Sequence, residues 1–574
     1  MRHYITRLSL LLLFLPGLAG VKVFAQQVNL EDVANITKNK PFTFNGGISA
    51  GTVIYGGTPQ PGRQDWTYYL NGNLNVNVYG QINIPISINL TNLGSDLSYP
   101  SLPNRLSFHP SYKWATAHIG DVSMTFSPYT LNGHQFTGAG VDLTPGKFRI
   151  SAMGGRLLRK VDYDPDNANI MPNYSRYGYG VKAEYDTEKY AVGLTYFGAK
   201  DNKVDTERIT FDSLGIQPMQ NSVIGFNTRI SLVKNLTLIA EYAVSYLTRD
   251  AYAPKDGNGI VNDILNKRTS TNTYHAFNAR INYQFLKNTI GIGYERIDPD
   301  YQTLGAYYFN NDYENITLNY ARPFLKDDKA TVAVSFGIQR DDLNNSKEES
   351  TDRYVGSVNL NYAPNENLQF SANYSTFQSH RNIKSQFDYI NETSPYQNLD
   401  TLNFTQLSQN LDGSMMFTFK KTEKQNQRIN LNMSYQESAD RQGGISTPGN
   451  VSRFVNSALG YGISFIPQAI NINSSFNASY NYGGGVESYT LGPMIGVSAN
   501  LLKKTLMTGF STSYNMNIND GDIQAKVLNL RLNASYRILK KHNLNASFVW
   551  QNRNITNKKK TDLTTTSLSY AYSF

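Results

Sequence analysis

The 574-residue sequence predicts an all-β fold, a single large antiparallel transmembrane β-barrel of about 26 strands, with 24 also admissible. Three observations predict it. Apolar and polar side chains alternate with a period of two over segments of about 11 to 15 residues, longer than the strands of globular sheets. The connections between these segments alternate between short turns and long polar loops. Beyond the amino-terminal stretch, no apolar run reaches the length of about 20 residues that a membrane helix needs.

The amino-terminal stretch has a basic start (Arg2, Arg7), an apolar run from Leu8 to Gly20, and Val23-Phe24-Ala25 before Gln26. This reads as a secretory signal peptide over 1–25, cleaved after Ala25. Pro16, Gly17, Gly20 and Lys22 interrupt the run too often for a membrane anchor. Residues 26–42 then form a short periplasmic segment and 43–574 the barrel. Cleavage removes three basic residues and no acidic ones, which leaves 50 basic against 44 acidic side chains, a charge of +6. That excess is too mild and too dispersed for a nucleic-acid partner. The chain has no cysteine, which excludes disulfides, thiolate metal sites, cysteine nucleophiles and a lipid-anchored amino-terminal cysteine.

The alternation is explicit along the chain. Leu74, Val76 and Val78 oppose Asn71, Asn73, Asn75 and Asn77; Leu528, Leu530 and Leu532 oppose Asn529, Arg531 and Asn533; Leu544, Ala546, Phe548 and Trp550 oppose Asn543, Asn545 and Ser547. Short turns fall at 144–147, 186–189, 234–235, 287–288, 363–367, 467–468, 503–504 and 540–543, and long loops at 161–175, 200–221, 250–271, 378–401 and 438–450. With that parity, strands start near residues 43, 65, 81, 111, 122, 134, 147, 177, 189, 222, 235, 273, 289, 313, 330, 353, 366, 408, 426, 452, 469, 487, 505, 524, 541 and 562. An even number puts both ends on the periplasmic side, with short turns there and long loops outside the cell.

A closed sheet this large is too wide for side chains to fill, so its interior is expected to be polar and its apolar face to meet lipid. Closure also pairs every backbone group in the hydrocarbon layer. Tyrosines crowd strand ends, where an amphipathic ring suits the headgroup boundary; the chain has 40 Tyr and 28 Phe against 3 Trp.

In the last strand Leu568, Tyr570, Tyr572 and Phe574 share the apolar face, with Ser569, Ala571 and Ser573 between them. This resembles the carboxy-terminal assembly signal of Gram-negative outer-membrane barrels, and implies insertion by the barrel-assembly machinery. The abundance of Asn, Tyr and Lys and the Ala-Gln at the cleavage site resemble outer-membrane barrels of the Bacteroidota. The stretch GDVSMTFSPYTLNGHQFTGAGVDLTPGKF resembles segments of large barrels in that group, secretion translocons among them, and assigns no residue role. The localisation implied is the outer membrane, among phospholipid and lipopolysaccharide.

No phosphate loop and no HExxH motif is present. His275 and His380 are available to a lipase-like triad, but no spacing favours them. Asp162, Asp164 and Asp166 begin like a calcium loop, yet Pro165 intrudes and the closing Glu is missing; Asp256 and Asp263 are no closer to one. The chain is therefore read as no enzyme and as needing no cofactor or metal. Nine charges share the parity of the polar face: Arg149, Lys182, Glu184, Arg229, Glu241, Arg280, Glu295, Arg428 and Arg531. They either tune what passes or pair to stiffen the wall.

An unobstructed bore of this size would leak. Residues 26–41 are too short for the folded plug of an energised receptor, so inward loops (250–271 and 378–401) or a partner are expected to narrow it. The function expected is a channel or translocation pore. The alternative is a non-conducting scaffold of a multi-protein outer-membrane complex, with outer-membrane or surface lipoproteins as partners.

Overall fold

The computed structural model describes residues 40–59, 64–92, 105–163, 165, 172–203, 208–257, 262, 265, 267–344, 352–377, 379–381, 386–391, 405–438, 441–442, 445–446 and 451–574. The expected signal peptide, 1–25, and most of the expected periplasmic segment, 26–42, lie outside the described residues, as do Asp164, Asp166 and Asp263.

The chain is a closed antiparallel barrel of 26 strands. The first thirteen are β1 (Phe42–Gly57), β2 (Trp66–Val78), β3 (Ile82–Thr91), β4 (Arg105–Phe108, resumed at Ser111–Tyr112), β5 (Ala115–Thr125), β6 (Asn132–Leu143), β7 (Phe148–Leu158), β8 (Arg176–Asp186), β9 (Tyr190–Asp201), β10 (Gln220–Val233), β11 (Leu236–Thr248), β12 (Thr271–Phe285) and β13 (Asn288–Ile297). The second thirteen are β14 (Tyr313–Phe324), β15 (Ala330–Asp341), β16 (Asp352–Asn365), β17 (Leu368–Ser375), β18 (Gln409–Lys421), β19 (Gln425–Ser438), β20 (Ser452–Phe465), β21 (Ile470–Gly483), β22 (Val486–Leu501), β23 (Leu506–Asn519), β24 (Asp522–Ile538), β25 (His542–Ile555) and β26 (Thr561–Ser573). β1 closes on β26 from Gly47 against Ser573 to Gly57 against Leu563. Beyond that register Gly46 and Phe574 exchange two backbone hydrogen bonds of 3.3 and 3.1 Å. No edge is left to template aggregation at the seam between first and last strands.

The strand count expected from the period is the count observed, with β4 and β5 displaced. β4 begins at Arg105 rather than near 111, and β5 at Ala115 rather than near 122. The cause is local: His109-Pro110 interrupts β4, since Pro offers no ladder donor, and the tight turn Lys113-Trp114, with Lys113 at φ 51°, follows at once. The parity of connection lengths also fades toward the end. The last three outer connections, 484–485, 520–521 and 556–560, are as short as the inner turns.

Outward apolar residues are exposed as lipid-facing side chains must be: Leu194, Ile292, Ile316, Leu459, Phe476 and Leu532 are each more than half exposed. With the backbone paired by closure, this band places the chain in the outer membrane as a multi-pass barrel. The inner face departs from expectation in one sector. Val122, Met124, Phe136, Met153, Phe197, Val223, Ala243 and Ile297 sit on β5–β13 with the parity of the inward charges, and they belong to one buried apolar cluster. Side chains alone cannot fill a bore this wide, but a segment of chain can. Tyr301 and Leu304 of the β13–β14 connection, and Phe126, Tyr129 and Leu131 of the β5–β6 connection, fold inward and complete that core.

Candidate functional site

The candidate site is the lumen with the segments folded into it. Residues 298–312 enter at the end of β13 and are held by polar contacts to backbone. Tyr301 Oη donates to Tyr129 O at 2.8 Å and Thr303 Oγ1 to Thr130 O at 2.6 Å. Asn132 N donates to Gly305 O at 2.9 Å, Leu304 N to Asn221 Oδ1 at 3.1 Å, and Ser245 Oγ to Gln302 O at 2.7 Å. Gly305 is required there, because a Cβ would stand 2.7 Å from Thr130 O. The contacts of Tyr301, Thr303 and Leu304 are buried, so the segment is part of the fold.

On the other side of the bore, the short helix Gln386–Asn391 reaches the inner faces of β23, β24 and β25. Asn391 Oδ1 accepts from Asn515 Nδ2 at 2.7 Å and from Asn529 Nδ2 at 2.8 Å, and Asn391 O from Gln551 Nε2 at 3.2 Å. The inward loop expected at 378–401 is thus represented by this piece. In the other expected loop, 250–271, the described residues do not turn inward. Its Leu265 carbonyl accepts from Ser222 Oγ, and its Lys267 lies 4.8 Å over the Tyr246 ring; both partners carry the outward parity of their strands. The loop that turns inward in its place, 298–312, reads in sequence as one more polar outer connection.

Six of the nine inward charges gather beside the filled sector. Asp186 takes Arg149 Nη2 at 2.8 Å and Arg229 Nη2 at 2.5 Å near the short-turn end. Lys182 Nζ donates to Phe126 O at 2.9 Å and lies 3.6 Å from Glu184, whose Oε2 also accepts from Asn227 Nδ2 at 3.0 Å. Glu295 Oε1 accepts from Tyr129 Oη at 2.6 Å. Burial first, and then the Glu295 carboxylate, push the Tyr129 phenol far above its ordinary range, so it remains a neutral donor. Glu241 Oε1 is buried without a hydrogen-bond partner. The other three charges stand apart: Arg280 opposite Gly293, Arg428 opposite Gly462, and Arg531 opposite Ser511. Arg531 lines an inner hollow of about 440 Å³ with Asn430, Asn432, Asn473 and Asn533.

Leu568, Tyr570, Tyr572 and Phe574 share the outer face of β26. Tyr570 Oη lies 2.7 Å from His542 Nδ1, and the Tyr572 and Phe574 rings are 5.7 Å apart. Asp162 pairs with Lys160 at 2.7 Å. His275 lies on the outer face, 2.7 Å from Tyr242 Oη, and His380 belongs to the small hairpin of Ser379–Arg381 with Thr405–Leu407.

Sequence reasoning missed a polar chain at the break in β4. Ser107 Oγ lies 3.2 Å from His109 Nε2, His109 Nδ1 2.8 Å from His118 Nδ1, and His118 Nε2 2.8 Å from Asp142 Oδ2. These four residues are brought together by register across β4, β5 and β6, which no linear motif encodes.

No protein-family model and no curated protein sequence matches the chain. Among solved structures it is similar to the FrpB iron transporter of Neisseria meningitidis, F3-3 variant, at 12% identity and TM-score 0.34, over 92% of this chain and 81% of that one. It is similar to the copper transporter OprC at 9% identity and TM-score 0.39, over 93% and 81%. A third similarity is to the PapC-PapD-PapK-PapG P pilus tip assembly intermediate of E. coli, at 11% identity and TM-score 0.42, over 93% and 61%.

Proposed function

We propose that this chain is an outer-membrane conduit for polar solutes, with a bore narrowed by its own inward segments. The observation that carries this reading is the contrast inside the barrel: one sector is sealed by residues 298–312, while the wall from β19 to β24 presents Asn430, Asn432, Asn473, Asn533 and Arg531 to a hollow. An amide-lined path favours neutral hydrogen-bonding solutes, and the dispersed arginines bias it only mildly toward anions. Conduction itself asks for no catalysis and no cofactor. Insertion by way of the β26 face and an origin among the Bacteroidota belong to the same reading.

The test is a planar-bilayer recording of the purified protein. The wild type is expected to give small, stable steps, and replacement of residues 300–309 by a short Gly-Ser link to enlarge them severalfold. Silence in both proteins would overturn the reading. It would leave the second one, a scaffold subunit, which the apolar cluster supports because it closes part of the lumen as firmly as a globular core. In that case the outer connections around Pro218 and Ala251, joined where Ala251 N donates to Pro218 O at 2.8 Å, would offer the platform for a surface lipoprotein. Capture of a stoichiometric partner from native membranes is the corresponding measurement.

A further inference from the structure

With Asp142 ionised and both imidazoles neutral, the polar chain at the β4 break has one proton arrangement. An ionised Asp142 only accepts hydrogen bonds, so His118 Nε2 must carry the proton it donates. Neutral His118 then has a lone pair on Nδ1, and His109 must donate to it from its own Nδ1 at 2.8 Å. That leaves the lone pair of His109 Nε2 facing Ser107 Oγ at 3.2 Å. Asp142 is held in turn by Ser151 Oγ on its other oxygen, and Ser107 Oγ has Ser87 Oγ 2.7 Å away as a second partner. A serine with a base in reach, and a base oriented by a further group, is the arrangement that activates a hydroxyl.

The imidazole pair is a hydrogen bond and no metal clamp. Two nitrogens at about 2.0–2.1 Å from a tetrahedral zinc ion would stand about 3.3 Å apart, farther than the 2.8 Å found. Among the described residues no group of three metal-binding side chains occurs.

The wall around this chain is irregular in the way functional sites are. The ladder between β4 and β5 stops at Ser107 against Gly120, and Asp121 Oδ2 accepts the Leu106 N–H at 3.1 Å beyond it. Gly120 has φ 100°, and a Cβ there would lie 2.0 Å from Leu106 O. Past this point β5 and β6 lean into the lumen. Val122 and Phe136 join the apolar cluster, while Asp121 and Gln135 line a cavity of about 670 Å³ together with Ser107, His109, Asn73 and Arg105. Register places Asn73 beside Ser87 and Arg105 two residues from Ser107 on the same inward face.

We propose that Ser107 and His109 form a hydrolytic site inside the barrel, oriented by His118 and Asp142, that cleaves short-chain esters of polar alcohols. Ser107 Oγ attacks the ester carbonyl carbon as its proton passes to His109 Nε2. The carbonyl oxygen gathers charge facing the donors Asn73 and Arg105; the bond to the alcohol oxygen breaks, and His109 returns the proton to that oxygen. Water, deprotonated by His109, then cleaves the acyl-serine, releasing the acid and restoring Ser107. A mostly amide and hydroxyl lining offers no apolar slot for a long acyl chain, which sets the substrate class. His118 and Asp142 are positioning residues. The proposal is independent of whether the bore conducts.

The experiment uses full-length protein in detergent, an alkyl fluorophosphonate probe and 4-nitrophenyl acetate. The expected result is a phosphonyl adduct mapped to the peptide carrying Ser107, and ester hydrolysis that falls on the order of 10³-fold in Ser107→Ala. His275→Gln, on the outer face, should leave the rate unchanged. Asp142→Asn should retain labelling, slow hydrolysis on the order of a hundredfold, and move the acid limb of the pH profile to lower pH, because a neutral amide no longer stabilises the cationic imidazole. A purely structural network would leave that limb in place. Absence of the adduct from wild-type protein, or hydrolysis that survives Ser107→Ala and is abolished by EDTA, would overturn the proposal.

Discussion

The wall from β5 to β13 and the wall from β18 to β26 obey the same alternation and end in different interiors. In the first, inward positions carry Val122, Phe136, Phe197, Val223 and Ala243, and residues 298–312 lie against them as a core. In the second, Asn432, Asn473 and Asn533 face a hollow, the helix Gln386–Asn391 touches the wall at Asn515, Asn529 and Gln551, and the outer turns Gly484-Gly485 and Asp520-Gly521 are too short to reach in. Period two tells which residues share a face of the sheet. What lies across that face is decided by a distant connection, and only the three-dimensional structure shows which connection it is.

The sharpest way to break the comparison is to hollow the first sector. Phe197 is fully buried against Gly305 and its neighbours, so Phe197→Ala should cost about 3–5 kcal/mol. The same truncation at Asn473, in the open sector, should stay within about 0.5 kcal/mol. Urea titration followed by the heat-dependent gel mobility of the folded barrel reads both; equal losses would abolish the distinction. Next in size is Tyr129→Phe, which removes one of the two phenols on the half-buried Glu295 carboxylate, the other being Tyr313, and should cost about 1–3 kcal/mol. A neutral result would show that Tyr313 or water serves Glu295 in its place.

Smaller effects belong to the second sector. Asn391→Ala removes the acceptor shared by Asn515 and Asn529 and should raise open-channel noise in bilayer recordings, with a stability change of about 1 kcal/mol or less. Smallest is Arg531→Glu, which should shift reversal potentials toward cation preference in a salt gradient, since one half-buried charge among amides acts over a Debye length of about 8–10 Å. An unchanged preference would place the path elsewhere.

Much of this architecture was legible in the residues. Strand number and the facing of Leu532 against Asn533 follow from alternation, because a slip of one residue would turn every apolar side chain into the lumen. The displaced β4 and β5 were not legible, since Pro110 and Gly120 break the period where the count depends on it. The inward segment was illegible for another reason. Its sequence, DPDYQTLGAYYFNND, is as polar and aromatic as an outer loop, and only Tyr301 and Leu304 among its residues are buried apolar anchors. The Ser107–His109–His118–Asp142 chain spans three strands, so its spacing carries no motif.

The chain lacks cysteine, so single introduced thiols report without background. The most direct measurement is the rate at which a charged, membrane-impermeant thiol reagent modifies Asn533→Cys, Ala243→Cys and Leu532→Cys in liposome-embedded protein. The account predicts fast reaction at 533, facing the watery hollow, and slow reaction at 243 beneath the inward segment and at 532 in lipid. Reaction at 243 as fast as at 533 would contradict the filled sector, and fast reaction at 532 would contradict the barrel's orientation altogether.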